Sequence, residues 1–210
     1  MLIDVFECGP VATNAYLVHN EGSQTGLIID APMDSVEVIG DAADRKGIIP
    51  KALILTHTHW DHTADAAGMK RRWPELLIYV HPSDEYRLIE PMKHTVWALP
   101  FTLEQVQADL HLRDGDRFDL DGISLDVLFT PGHTEGGISL LDPVNNILFV
   151  GDTLFAGSVG RTDLPGGDWE TLLDSIRRRL LSLPDQTMVY PGHGPKTTIA
   201  EERISNPFLG

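Results

Sequence analysis

Three histidines and one aspartate stand within six residues of this chain, at His57, His59, Asp61 and His62. They follow directly after the apolar run Ala52–Leu55, which is typical of a buried strand. Imidazole and carboxylate are ligands that zinc and similar divalent ions prefer. A strand that delivers such a cluster to a loop therefore predicts a metal site.

The spacing of this cluster predicts how it is divided. Alternate side chains of an extended segment share a face, so His57 and His59 can bind one ion together. Asp61 and His62 follow where the chain should turn into a helix, so they point elsewhere and can serve a second ion. Without a metal, several buried polar groups would each need another partner.

Three later strands predict further ligands, because each apolar run ends in a glycine that is followed by histidine or aspartate. These ligands are His133 after Gly132, Asp152 after Gly151 and His193 after Gly192. Glycine lets the backbone turn sharply and approach a ligand closely. A single strand followed by glycine is also an ordinary turn, so it is the recurrence that indicates a site.

The run HTHWDH, followed by PGHT, GDTLF and PGHG, resembles the metallo-β-lactamase superfamily across the whole chain. Within it, the segments GDTLFAGSVGRTDLPGGD and PGHGP…ER…NPFL resemble short bacterial hydrolases related to glyoxalase II, the hydroxyacylglutathione hydrolases. The resemblance implies an α/β (α+β) fold, the four-layer αββα sandwich, as a single domain over residues 1–210. One fold carries many functions in this superfamily, so the site must decide the reaction.

The resemblance also implies the role of each ligand. The first ion would be bound by His57, His59 and His133, and the second by Asp61, His62 and His193. Asp152 would bridge the two ions, and Asp61 would also act in catalysis by holding a shared hydroxide in line. The expected cofactors are two divalent ions, zinc first, with iron or manganese also suited. The expected reaction is hydrolysis of a thioester such as S-lactoylglutathione.

Arg161 is the predicted substrate-binding residue. In glyoxalase II a basic residue a few positions after GDTLF helps to hold glutathione, and Arg161 stands at that place. The family has an aromatic residue two positions later, where this chain has Asp163. The alternative is that Arg161 forms a salt bridge with Asp163 or Asp168 and only shapes its loop.

Two other functions compete with the hydrolase. A persulfide dioxygenase of the same fold uses one iron and shares a GRTD-like segment, whereas the match to PGHGP favours the hydrolase. A binding module without catalysis is the second rival, and seven intact ligand positions count against it. Metal content separates the three: two ions per chain, one iron, or none.

Composition restricts the partners of the protein. The 210 residues are 42% hydrophobic and 22% charged, as in an ordinary globular protein, and Cys8 is the only cysteine. The formal net charge of −15 argues against nucleic acid as a partner. No apolar run approaches the ~20 residues that span a membrane. With no signal-peptide pattern at the N-terminus, we expect a cytoplasmic protein, a monomer or small homo-oligomer, acting on a small-molecule thioester.

The remaining pattern predicts the elements that position these residues. An opening strand series precedes a helix over Ser35–Lys46, and a second helix is expected over Thr63–Arg72. Asp121-Gly122 predicts a hairpin turn. Asp168 is expected to cap a helix with a buried stripe of Trp169, Leu172, Leu173, Ile176 and Leu180. Pro91–Leu110 is irregular and is expected to be either a loop with a short helix beside the site or a packed surface excursion.

Overall fold

A computed structural model describes residues 1–210. The chain divides into two compact units. The first comprises residues 1–112 and 119–123, and the second comprises residues 113–118 and 124–210.

The first unit contains a six-stranded sheet in which every pair of spatial neighbours is also consecutive in sequence. Its first three strands pair antiparallel, and the later strands add to the sheet in parallel. The strands are β1 Leu2–Cys8, β2 Thr13–His19, β3 Thr25–Ile29, β4 Ile49–Ile54, β5 Leu77–Val80 and β6 Leu110–His111. All residues of β2 are buried, as expected for a central strand covered on both faces.

The helix α1, Ser35–Lys46, begins and ends where the sequence predicts. Gly47 stops it in the left-handed conformation, with φ of 67°, and its N–H donates to the carbonyls of Ala43 and Asp44. At the other end the carboxylate of Asp65 accepts a hydrogen bond from the N–H of Val36. A side chain 29 residues away thus satisfies one of the open N–H groups of this helix.

The helix predicted around Thr63–Arg72 ends at Arg72 as expected, but its predicted start is wrong. The structure has α2, Trp60–Thr63, and α3, Ala66–Arg72, with a break between them. The N–H of Asp65 in that break donates to the carbonyl of Ala31, which takes it out of the helical ladder. Two short helices follow β5, α4 Tyr86–Ile89 and α5 Pro91–His94.

The second unit contains most of another six-stranded sheet, with the order β14-β13-β10-β9-β8-β7, in which only residues 119–123 are grouped with the first unit. Strands β11 and β12 form a separate two-stranded hairpin. The strands are β7 Arg117–Leu120, β8 Ile123–Phe129, β9 Ile138–Asp142, β10 Ile147–Gly151, β11 Leu154–Phe155, β12 Ser158–Val159, β13 Met188–Pro191 and β14 Thr197–Thr198. The predicted turn at Asp121-Gly122 joins β7 to β8, and both residues have positive φ, as a type I′ hairpin turn requires.

Asp168 caps the helix α6, Trp169–Ser175, and its carboxylate accepts a 2.8 Å hydrogen bond from the N–H of Thr171. The helix continues as a π-helical turn over Ile176–Leu180. Four residues of the predicted stripe are buried, but Trp169 is 39% exposed, so its placement in the core is wrong. Trp169 lies in the first turn and contacts the ring of Phe208 at the surface. The last helix is α7, Ile199–Ser205.

None of these helices combines the length and the apolar character that crossing a membrane requires.

Cys8 should react slowly with alkylating reagents. Burial, together with the carboxylates of Asp34, Asp65 and Glu7, raises the pKa of the thiol from 9.0 to about 11. Since the thiolate is the nucleophile, alkylation near pH 8 should be about 100-fold slower than in the unfolded chain. Because the folded state favours the neutral thiol, the contribution of Cys8 to the free energy of unfolding is complete below pH 9. This contribution is lost as the pH rises from 9 through about 11. Iodoacetamide labelling with and without denaturant measures the ratio, and equal rates would contradict the prediction.

Candidate metal centre

The first unit contributes four of the predicted ligands from one loop that follows β4. The rings of His57 and His59 lie 5.0 Å apart in an edge-on arrangement, and those of His57 and His62 lie 4.1 Å apart. Asp61 and His62 stand in the first turn of α2, as the sequence predicts. Asp61 Oδ2 lies 3.6 Å from His62 Nε2 and accepts a hydrogen bond from Thr13 Oγ1 at 3.3 Å.

Asp30, which the sequence analysis missed, holds this loop in place. It is buried directly after β3, with φ of 60°. Its carboxylate accepts 2.8 Å hydrogen bonds from the backbone N–H of Thr56, the hydroxyl of Thr56 and Nδ1 of His62. Because Nδ1–H donates to a carboxylate, the lone pair of His62 lies on Nε2, the nitrogen that faces Asp61.

The second unit contributes the other three ligands, each just beyond the end of a strand. Asp152 Oδ2 lies 3.6 Å from His133 Nε2 and 3.5 Å from His193 Nε2. His133 Nδ1 donates a 2.7 Å hydrogen bond to the carbonyl of Arg161, which again places the lone pair on Nε2. One carboxylate oxygen therefore lies beside the Nε2 atoms of two histidines that are predicted to bind metal.

Glycine is required at two positions beside these ligands. Gly132 has φ of 125°, and a Cβ there would collide with the backbone of Leu172 in α6. A Cβ on Gly160 would collide with the carbonyl of Asp152 and approach His133 Nδ1. The close approach brings the carbonyl of Arg161 within reach of His133.

The separations between these atoms fit a metal better than they fit hydrogen bonds. Distances of 3.5–3.6 Å between nitrogen and carboxylate oxygen exceed the usual range for an N–H···O bond. Two ligands of a tetrahedral zinc ion lie about 3.4 Å apart when each metal–ligand distance is about 2.1 Å. All seven predicted ligands belong to groups of histidine and carboxylate side chains that could hold a metal ion.

Residues near the C-terminus support the segment that follows Asp152. The buried carboxylate of Glu202 in α7 accepts hydrogen bonds from the N–H of Gly157, Thr197 Oγ1 and Asn206 Nδ2. Asn206 Nδ2 also donates to the carbonyl of Ser158. The ER…NP segment therefore has a physical role, because it anchors the hairpin β11–β12.

Arg161 forms a salt bridge with Asp163, which is the alternative role predicted from the sequence. Its Nε and Nη2 donate to the two carboxylate oxygens of Asp163, both at 2.7 Å. Both side chains are exposed. The guanidinium lowers the pKa of Asp163 to about 2, and the carboxylate raises the pKa of Arg161. Substrate binding by Arg161 stays a prediction.

The irregular segment 91–110 contains the short helix α5, as expected. It also contacts the loop of metal ligands, because the ring of Phe101 lies 5.7 Å from that of Trp60, the residue between His59 and Asp61.

Comparison with known proteins decides the family. The family model described as Metallo-beta-lactamase superfamily matches residues 8–193. The chain belongs to the metallo-β-lactamase superfamily. It is 36% identical to the probable metallo-hydrolase YqgX of Bacillus subtilis, over 96% of this chain and 94% of YqgX. It is 35% identical to the hydroxyacylglutathione hydrolase GloC of Haemophilus influenzae, over 100% of this chain and 98% of GloC.

Solved structures confirm the predicted metallo-β-lactamase fold. The BLEG-1 B3 metallo-β-lactamase matches with a TM-score of 0.92 and 34% identity, over 99% of each chain. TTHA1623 in a di-iron-bound form matches with a TM-score of 0.86 and 38% identity, over 98% of this chain and 100% of that one. ETHE1 from Myxococcus xanthus matches with a TM-score of 0.78 and 28% identity, over 99% and 84%. This superfamily member is thus a metal-dependent hydrolase.

Proposed function

We propose that this hydrolase binds two divalent metal ions and cleaves a small-molecule thioester such as S-lactoylglutathione. The observation that carries the proposal is the position of Asp152, whose Oδ2 lies beside Nε2 of both His133 and His193. A single ion with four ligands leaves three of the seven predicted ligands unused, whereas two ions that share a carboxylate use them all. The similarity to GloC over the full chain supports a thioester as the substrate.

The proposed assignment places His57, His59 and His133 on one ion and Asp61, His62 and His193 on the other, with Asp152 shared. When bound, two such ions supply hydroxide at neutral pH and polarise the scissile carbonyl. Hydrogen bonds to Nδ1 orient two of the proposed ligands. Asp30 fixes the tautomer of His62, and the carbonyl of Arg161 fixes that of His133. A thiolate leaves readily, so the reaction needs no strong general acid from the protein.

Elemental analysis of the purified protein beside three activity assays tests the proposal. We expect two ions per chain, zinc first, and hydrolysis of S-lactoylglutathione that stops on dialysis against a chelator and returns with metal. A β-lactam assay is needed in parallel because BLEG-1 is a β-lactamase. One iron per chain with oxygen consumption on glutathione persulfide would replace the hydrolase by the dioxygenase. A metal-free protein would leave only a binding module.

We expect a small substrate rather than a macromolecule to bind beside the loop 56–62 and the segment 91–110. The net charge of −15 disfavours nucleic acid and makes a local cation useful for an anionic thiol carrier. We expect the protein to be cytoplasmic and to be a monomer or small homo-oligomer. Size-exclusion chromatography measures the oligomeric state.

Arg161→Ala should raise KM for S-lactoylglutathione about 10-fold with little change in kcat, because a charge-assisted contact to a substrate carboxylate is lost. The salt bridge to Asp163 provides a matched control. If Arg161 binds substrate, Asp163 competes for the same guanidinium, so Asp163→Ala should lower KM.

Steady-state kinetics and melting temperatures of the two variants distinguish the roles. If both variants melt earlier than wild type and neither changes KM, Arg161 and Asp163 only brace their loop, and the substrate-binding role is wrong.

A further inference from the structure

A buried carboxylate from a distant part of the chain binds the backbone between His57 and His59. Asp84 Oδ2 accepts a 3.1 Å hydrogen bond from the N–H of Thr58, and the carbonyl of Asp84 accepts a 2.8 Å hydrogen bond from Thr58 Oγ1. Both residues are almost completely buried, Asp84 at 0% and Thr58 at 2% exposure. Two contacts from one residue therefore fix the position of Thr58 in the loop.

Asp84 is itself held by a buried arginine. Arg87 Nη1 donates a 3.0 Å hydrogen bond to Asp84 Oδ1, and the guanidinium lies over the ring of Tyr86 at 4.5 Å. A buried charge is tolerated only when it is paired and hydrogen-bonded, so Arg87 allows the carboxylate to stay at Thr58. The N–H of Asp84 also donates to the carbonyl of His81, which fixes its backbone.

The contacts of Thr58 have a direct effect on the neighbouring ligands. Thr58 lies between His57 and His59 in the chain, so fixing its N–H and its hydroxyl restricts the backbone from which both histidine side chains project. Thr56, two residues earlier, is anchored by Asp30, whose carboxylate accepts hydrogen bonds from both the N–H and the hydroxyl of Thr56. The two threonines alternate with the two histidines, and each threonine has its own buried aspartate.

We propose that Asp84, held by Arg87, is a positioning residue that sets the spacing of His57 and His59 as a pair of metal ligands. The inference rests on the proposed metal centre and assigns no catalytic contact to Asp84. Residues that orient ligands in this way typically change metal affinity by about 10–100-fold when they are removed.

The test compares Asp84→Ala with Asp142→Ala. Asp142 is also buried, and its carboxylate accepts hydrogen bonds from the N–H groups of Val144 and Asn145 in the turn after β9, so both variants lose a buried carboxylate. Zn²⁺ affinity is measured by competition with a chromophoric chelator, and ligand geometry by the absorption spectrum of the Co²⁺-substituted protein. We expect Asp84→Ala to lose about 10–100-fold in affinity for one of the two ions and to change the Co²⁺ spectrum. Asp142→Ala should melt earlier while it keeps wild-type affinity and spectrum.

A lower melting temperature of Asp84→Ala with wild-type affinity and spectrum would make Asp84 a purely structural residue and overturn the proposal. If Asp84→Ala does not fold, Thr58→Val decides, because it removes only the hydroxyl contact. We expect Thr58→Val to weaken Zn²⁺ binding and Thr58→Ser to restore it, and equal affinity in both variants would again overturn the proposal. Wild-type protein that takes up no Zn²⁺ would instead refute the proposed metal centre itself.

Discussion

Asp61→Ala should lower kcat for thioester hydrolysis at least ~10²-fold while the fold stays intact. Asp61 is the one predicted ligand with an additional catalytic role, since its carboxylate is expected to orient the nucleophile. In the first unit Asp61 accepts a 3.3 Å hydrogen bond from Thr13 and lies 3.6 Å from His62 Nε2. The side chain is small and 15% exposed, so its loss is expected to leave the fold intact.

Steady-state kinetics and circular dichroism measure the effect, with Glu75→Ala as the control. Glu75 is an exposed acid of the same unit that pairs only with Lys51 at the surface, so its removal should change neither kcat nor fold. An Asp61→Ala variant with wild-type kcat would exclude Asp61 from the mechanism.

Asp152→Ala should reduce the bound metal below two ions per chain and lower activity by more than ~10²-fold, since Asp152 is the proposed shared ligand rather than a supporting contact. The expectation follows from the carboxylate oxygen that lies 3.6 Å and 3.5 Å from the nitrogens of His133 and His193. The backbone around Asp152 should keep its conformation, because the contact with Gly160 involves the carbonyl of Asp152 rather than its side chain.

Metal content after dialysis, read by elemental analysis, is the decisive measurement for Asp152→Ala. Asp174→Ala is the matched control, an exposed acid in the same unit whose partner is Arg178. If Asp152→Ala retains two ions with wild-type affinity, the prediction that Asp152 is a ligand shared by both ions is wrong.

Local rules account for the parts of the fold that the sequence predicts well. The helix α1 is bounded by a strong C-terminal glycine signal and an apolar stripe, so both of its ends are predicted. The strands before His133, Asp152 and His193 are short apolar runs with a glycine at or shortly after the strand end, and each predicted ligand directly follows that glycine. The family is predictable for the same reason, because its motifs are contiguous.

The sequence does not indicate the supporting residues, because their partners are distant along the chain. Asp30, Asp84 and Glu202 are all buried acids, whereas composition alone places an acid at the surface. Each is buried because it accepts hydrogen bonds from backbone segments 26 to 45 residues away. The exposure of Trp169 differs from the prediction for a local reason. Helical spacing favours a core position for this apolar residue, but Trp169 lies in the first turn of α6, where it reaches the surface.

The order of strands in the first sheet has a consequence for how that sheet assembles. Because every neighbouring pair is consecutive along the chain, each new strand joins the growing edge after closing only the loop that precedes it. The entropy of loop closure rises with loop length, so the antiparallel pairs β1–β2 and β2–β3 should form first. The parallel pair β3–β4 is expected to form later, because α1 lies in the longer connection between the two strands. The chain between Thr56 and His62 should therefore acquire its native conformation late, after the meander that precedes it has folded.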